Sequence, residues 1–225
     1  MIINKYCEKS DLSYLKNKYS KYIQYFITSS DDCLFKNLSI IDFAINNNGP
    51  KDKFIDCGSG PSPLAWILCD YFTDGYMIDI SVSNQFAKDN LHHNIGDFFS
   101  YIQSHEDSSI DYAFDGCSIT HFEHDSYNNI GFNRSAELLS KKIKDGGYVV
   151  MSTDVIDHLV NNRVQMEYLK VSDIIEIFNS NGFKLISNFD YDSLNDDCSI
   201  NLNYYGRSMI KLVYCNLTFQ KISSI

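Results

Sequence analysis

The chain reads as an α/β protein, with a doubly wound, mostly parallel sheet preceded by an N-terminal helical segment. Three observations carry this reading. Apolar residues recur at helical spacing over residues 1–50, strand-like and helix-like runs alternate after them, and two strand-like runs close the chain with no helical pattern between. At 225 residues the chain is long enough for one sizeable core and short for two. Residues 1–50 therefore read as a helical cap or lid on a core spanning 51–225.

In the cap, Leu12, Leu15, Tyr19, Tyr22, Ile23, Phe26 and Ile27 share one helical face, and Leu34, Leu38, Ile41 and Ile45 share another. Asn46-Asn47-Asn48-Gly49-Pro50 breaks the pattern with turn-forming residues. Phe54-Ile55 is then a short strand ending in a glycine loop. Pro63 to Phe72 reads as a helix, with Ser62 at its N-cap and Pro63 in its first position. Tyr76-Met77-Ile78 is a second strand, followed by a helix near Ser83 to Leu91 and a strand at His93 to Ile95. Ile110 to Phe114 is a fourth strand, Ser135 to Ile143 a helix, and Asp145-Gly146-Gly147 a turn into the strongly β-forming Tyr148 to Met151. Ser172 to Ser180 reads as an N-capped helix stopped by Asn181-Gly182. Phe183 to Phe189 and Met209 to Phe219 are the closing strands, which give the parallel sheet an antiparallel edge.

The formal charge is −10, from 29 acids against 19 bases, with no Lys/Arg-rich run to offset it. Such a surface repels phosphate backbones and anionic lipid, so neither nucleic acid nor membrane is an expected partner. The seven cysteines are scattered and form no C-x-x-C pair, as suits a reducing cytoplasm. Met1-Ile2-Ile3-Asn4-Lys5 turns polar too soon for a signal peptide, and no apolar stretch is long enough to span a bilayer.

The most informative stretch is Asp56-Cys57-Gly58-Ser59-Gly60-Pro61-Ser62, between a strand and a helix. Its glycines let the backbone turn tightly and approach a ligand, although an ordinary βα turn uses them as well. Asp56 distinguishes between ligands. An acid at this strand end repels a pyrophosphate and suits a ligand whose end carries an ammonium, which favours S-adenosylmethionine (SAM) over NAD. Asp79 ends the next strand, where it reads as an acceptor for both ribose hydroxyls or as a helix cap. Asp97 and Phe98, in Asn94-Ile95-Gly96-Asp97-Phe98-Phe99, read as an acceptor for the adenine amino group and a wall for its ring, or as turn residues.

These residues, with Ile110-Asp111-Tyr112-Ala113-Phe114, Lys144-Asp145-Gly146-Gly147-Tyr148-Val149-Val150 and the Tyr168–Ile174 and Asn181-Gly182-Phe183 segments, resemble the successive motifs of class I SAM-dependent methyltransferases. The resemblance spans about Phe54 to Phe219 and rests on the order and spacing of degenerate motifs. It implies a Rossmann-like, seven-stranded sheet with the last strand antiparallel, and SAM lying across the strand ends. Asp56, Gly58 and Gly60 would then surround the methionine part, Asp79 the ribose, and Asp97 with Phe98 the adenine. Pro61-Ser62-Pro63 departs from the family where a third glycine is common.

Asp115-Gly116-Cys117-Ser118-Ile119-Thr120-His121-Phe122 resembles the family segment that passes the sulfonium, with Asp115 lining the cofactor or serving a turn. His121 reads as a base or acceptor-orienting residue, or as a histidine that stabilises its loop. Asp154 and His158 read as acceptor-pocket or solvated loop residues. Tyr22 with its neighbours Tyr19 and Tyr25, and Tyr204, Tyr205 and Arg207, lie in the two regions that commonly supply the family's lid; tyrosines at helical spacing also read as core. No metal is expected, since His121, Glu123, His124 and Asp125 form neither an H-E-x-x-H helix nor a set with paired cysteines. The expected activity is O- or N-methylation of a small polar metabolite or sugar intermediate. A non-catalytic SAM-binding or scaffolding protein and an NAD-dependent Rossmann oxidoreductase are the alternatives.

Overall fold

The computed structural model of the chain describes residues 1, 3–26, 30–81, 86–122, 130–156, 169–194, 199–202 and 210–223. Its helices are α1 (Lys9–Lys18), α2 (Ser20–Ile23), α3 (Asp31–Asn46), α4 (Leu64–Leu68), α5 (Phe98–Ser104), α6 (Ile130–Lys142) and α7 (Val171–Ser180). Its strands are β1 (Lys5–Tyr6), β2 (Lys53–Cys57), β3 (Asp74–Asp79), β4 (Leu91–Ile95), β5 (Ile110–Asp115), β6 (Ile143–Ile156), β7 (Phe183–Leu185), β8 (Ser199–Leu202) and β9 (Ile210–Lys221).

The strands form one sheet in the order β1-β9-β6-β5-β2-β3-β4, with β7 and β8 also on β9. The pairs β2–β3, β2–β5, β3–β4 and β5–β6 are parallel, and every pairing of β9 is antiparallel, so β9 alone among these strands runs backwards. The expected seven strands are present as β4-β3-β2-β5-β6-β9-β7. The sheet exceeds the expectation by β1 and β8, which share the outer edge of β9 with β7.

Strand alternation sends neighbouring residues into two separate apolar layers. Phe54, Tyr112 and Phe114 pack with α3, α4 and residues of α1 and α2, while Ile55 and Ala113 pack with α5, α6 and α7. Helices thus cover both faces, and the N-terminal helices share one continuous core with the sheet. No helix among the described residues is long and apolar enough to cross a membrane.

Several element boundaries differ from the sequence expectation, each for a local reason. The helix expected to Phe72 stops at Leu68. Its chain tightens there into three-residue bonds, Asp70 N–H to the Ile67 carbonyl and Tyr71 N–H to the Leu68 carbonyl. Ser62 does bond the start of that helix, its Oγ accepting from the Leu64 N–H at 3.1 Å. Of the helix expected near Ser83 to Leu91, residues 82–85 lie outside the described residues, and residues 86–90 are not helical. Asn90 is held instead by β3 and the α4 turn: its carbonyl accepts from Gly75 N–H, and its amide donates to the Cys69 and Phe72 carbonyls. Asp145-Gly146-Gly147 is no hairpin turn but a bulge within β6. The register with β5 slips between Ile110 and Tyr112, and Gly146 takes φ +79. The α7 cap is Lys170, which has no side-chain oxygen to offer, rather than the expected serine.

The closing strand expected over Phe183 to Phe189 ends at Leu185 because the N-terminus takes the next place on the edge of β9. Asn4 makes the splice. Its Oδ1 accepts from the Thr218 N–H at 2.8 Å, and its Nδ2 donates to the Ser187 carbonyl at 3.2 Å and Oγ at 2.8 Å. Asn4 sits at φ +50, a conformation that asparagine tolerates better than most residues. Its side-chain amide thus stands in for a strand peptide. Asn4→Ala orphans the buried Thr218 N–H and should lower unfolding free energy by about 2–3 kcal/mol. Urea melts of the two proteins check this; an unchanged midpoint would show that the splice is dispensable.

Candidate functional site

The chain lays β2, β3 and β4 outward in one direction and then returns to place β5 on the other side of β2. That reversal puts the carboxyl ends of β2 and β5 side by side at the switch point of the sheet, the place where open α/β sheets bind ligands. Asp56 lies near the end of β2, opposite Phe114, and Asp115 closes β5. Both are buried, and among the described residues the Oδ2 atom of each lacks a hydrogen-bond partner. Asp115 Oδ1 accepts from the Ser118 N–H at 2.7 Å and the Ile119 N–H at 3.1 Å. Burial first, then the charges of Asp115 and Asp79, push the Asp56 carboxyl up to about 8. Burial pushes Asp115 up to about 6 against those two N–H bonds and the nearby charge of Lys36. Two acids in this position create a demand for a cation.

The glycine loop is pinned from three sides. Gly58 and Ser59 donate to the Ile78 carbonyl at 3.1 Å each, and Ser118 Oγ donates to the Gly58 carbonyl at 2.6 Å. Gly58 has φ +75, and a Cβ there would lie 2.3 Å from the Ser118 Cβ, so no side chain fits. Gly60 N–H donates to Asp79 Oδ2 at 2.8 Å, and a Cβ on Gly60 would meet nothing within 4 Å. The turn therefore leaves open space at Gly60.

Asp79 bridges two loops, since its Oδ1 accepts from the Ser81 N–H at 2.9 Å while Oδ2 holds Gly60. Asp97 is exposed and caps α5, its Oδ2 accepting from the Ser100 N–H at 2.8 Å and hydroxyl at 2.9 Å. Burial acts against ionisation of Asp97, but the Ser100 bonds prevail and hold its carboxyl below the ordinary range. Phe98 is buried and stacks on Phe122 with centroids 5.0 Å apart, so its ring belongs to the apolar core. One exposed apolar side chain near these acids is Ile80, directly after Asp79, which is 84% exposed. Sequence reasoning missed it because one isoleucine at a strand end carries no periodicity.

On the other side of Asp115, β6 runs on past its partner Met151 to Asp154. Asp154 Oδ1 lies 2.8 Å from Lys36 Nζ, and Oδ2 accepts from the Cys117 thiol at 3.2 Å. Cys117 has φ +80, an uncommon backbone state that here accompanies a fully engaged side chain. Thr120 and Thr153 share a buried hydroxyl bond of 2.7 Å. His121 ends a 3-10 turn (Ile119–His121) and is exposed. Tyr22 is buried and stacked on Tyr19, with its hydroxyl 2.5 Å from that of Tyr71. Tyr204, Tyr205, Arg207, His158 and Glu123 to Asp125 lie outside the described residues. Among the described residues, no group of three His, Cys, Asp or Glu is placed to hold a metal.

Lys36 and its neighbour Asn37 were absent from the sequence expectation. The available signal was the composition of α3, whose Leu34-Phe35-Lys36-Asn37-Leu38-Ser39-Ile40-Ile41-Asp42-Phe43-Ala44 run is apolar on every face. Such a helix is buried all round, and its polar residues must find partners.

No family model and no curated protein matches the chain. Solved structures do. The chain is similar to the [4+2]-cyclase SpnF, with a TM-score of 0.60 and 13% identity over 88% of this chain and 85% of that one. It is similar to the complex between the Haloferax volcanii Trm112 methyltransferase activator and a methyltransferase, with a TM-score of 0.58 and 12% identity over 96% and 99%. A third similar structure is the Burkholderia thailandensis 1,6-didemethyltoxoflavin-N1-methyltransferase with bound 1,6-didemethyltoxoflavin and S-adenosylhomocysteine. Its TM-score is 0.54, with 12% identity over 94% and 87%. At these identities the likeness defines the fold: the Rossmann-like fold of class I SAM-dependent methyltransferases.

The paired acids also set a pH dependence. In the ligand-free protein the native state keeps a proton on Asp56 up to about pH 8, whereas the unfolded chain gives it up near 3.8. The native state binds more protons between those values, so this group's stabilisation is complete below pH 3.8 and is lost as pH rises towards 8. Asp56→Asn mimics the neutral acid. Thermal melts should show its midpoint above that of the unmodified protein at pH 8, with the difference shrinking at pH 5. A gap independent of pH would contradict the assigned titration.

Proposed function

We propose that the protein is a SAM-dependent methyltransferase acting in the cytoplasm on a small polar metabolite or sugar intermediate, by O- or N-methylation. The observation that carries this reading is the pair of buried carboxylates at the switch point of the sheet, Asp56 and Asp115, each with an oxygen unpartnered among the described residues. The amino acid end of SAM brings an ammonium that answers both. NAD brings a pyrophosphate, which offers the buried acids no cation and is repelled by those that are ionised. Asp79 suits the ribose hydroxyls, Ile80 offers an apolar platform beside them, and the exposed Asp97 has acceptor capacity left for an exocyclic amine. The six described cysteines are free, in keeping with a reducing compartment.

When bound, SAM supplies a methyl group activated on a sulfonium. The residues of the chain then have two tasks, alignment and exclusion of water. The Gly58–Gly60 turn and the Asp115–Cys117 loop, riveted together by Ser118, fix the methionine part. Residues 1–50 act as a lid, and Tyr22, Asp154, Tyr204 and Arg207 are assigned to binding the acceptor. His121, exposed at the end of its turn, orients the acceptor or takes the proton that an alcohol or ammonium acceptor must lose.

A second reading follows from the likeness to SpnF, a [4+2]-cyclase on the same fold. Fold does not dictate chemistry, and the same acids would hold SAM in a protein that transfers no methyl group. Calorimetric titration with SAM, S-adenosylhomocysteine and NAD separates the possibilities. Saturable binding of the two sulfur compounds but not NAD is expected, and binding of NAD alone would falsify the cofactor assignment. Asp79→Ala should weaken SAM binding about tenfold or more, the loss of charge-assisted hydrogen bonds. Conversion of SAM to S-adenosylhomocysteine with an acceptor present then distinguishes a methyltransferase from a protein that only binds.

A further inference from the structure

Lys36 is a buried lysine on α3, only 7% exposed. Its Nζ lies 2.8 Å from Asp154 Oδ1 and 4.5 Å from the centroid of the Tyr214 ring. The Cys117 thiol is a further partner, and Asp115 feels the lysine charge. The next residue, Asn37, ties the same turn of α3 to the glycine loop by accepting from Ser62 Oγ at 2.8 Å. One buried cation from the cap therefore stands beside the acids at the ends of β5 and β6, on a helix clamped to the loop expected to bind SAM.

The methionine end of SAM is zwitterionic. Asp56 and Asp115 answer its ammonium and leave its carboxylate without a counterpart. An ammonium has three donor hydrogens. Lys36 forms an ion pair with Asp154 at 2.8 Å, and the Cys117 sulfur near its charge is a weak acceptor that a carboxylate outcompetes. Resting on the cofactor assignment above, we propose that Lys36 binds the carboxylate of the methionine part of SAM, so that the N-terminal cap itself helps to select the cofactor. Lys36 would then be a specificity-determining residue, and Asp154 and Cys117 its positioning partners.

The test compares SAM with decarboxylated SAM, which keeps the ammonium and sulfonium and lacks only the carboxylate. Calorimetry on the full chain should show a preference for SAM of about tenfold or more, as expected for one charge-assisted hydrogen bond. Lys36→Met should abolish the preference by weakening SAM alone. Because that change strands Asp154 without a counter-charge, the double variant Lys36→Met/Asp154→Asn is measured beside it, and Lys36→Arg should restore most of the preference. An intact preference in the double variant overturns the proposal, as does a native chain that binds both compounds equally. Unchanged SAM affinity in the double variant also overturns it. If the native chain binds neither compound, the cofactor reading itself falls, an outcome distinct from the others.

Discussion

Two carboxylates buried at the ends of neighbouring parallel strands, each with an oxygen that no described residue bonds, set the terms for everything around them. Asp56 and Asp115 stand where they do because the chain reverses direction at β2, which brings the ends of β2 and β5 side by side. The surroundings supply only part of what such groups need. Asp115 takes two backbone N–H groups from its own loop, and the Ser118 that provides one of them sends its hydroxyl across to the Gly58 carbonyl. One small residue thus fixes the β5 loop against the β2 loop, and Gly58 must lack a side chain for that approach to happen. Among the described residues, Asp56 Oδ2 and Asp115 Oδ2 have no hydrogen-bond partner.

The helical cap answers the same acids from the other direction. A helix buried along Leu34 to Ala44 would ordinarily be wholly apolar, yet α3 carries Lys36, Asn37, Ser39 and Asp42 inward. Each has a specific partner. Lys36 meets Asp154, Asn37 the glycine loop, Ser39 the Asn216 amide oxygen at 3.0 Å, and Asp42 both Lys18 and the Tyr19 hydroxyl at 2.7 Å. Apolar packing alone would let the helix slide or rotate on the sheet at modest cost. Polar contacts of defined length allow one register and so place the cap relative to the strand ends.

The alternation of strands and helices, the glycine loop and the acids at successive strand ends were legible in the sequence because each is encoded within a few residues. Asp56 and Asp79 follow apolar runs directly, so locating the strands located them, and Asp97 follows the glycine just past the strand that ends at Ile95. What was not legible depends on contacts between distant segments. Nothing local in Lys5-Tyr6 marks a strand, since its pairing partners are Cys215 and Asn216. Phe98 looked like a ligand wall and lies in the core, because its environment is set by Phe122, which belongs to another loop. The Asp145-Gly146-Gly147 turn became a bulge because β5 offers pairing on both sides of it. Lys36 sat unnoticed in an apolar run, where its partner could be found only after β6 had been placed beside the cap.

The splice of Asn4 and β1 into the edge of β9 has a consequence for how the molecule is assembled. Residues 4–6 find their place only once residues 215–218 exist to receive them. During synthesis the parallel strands can therefore pair and cover themselves well before the amino-terminal segment has a seat, and contacts of such long sequence separation form slowly. Of these two segments the earlier-made one takes its seat later, and because β1 leads directly into the helices that carry Lys36, the final placement of that stretch waits on residues 215–218.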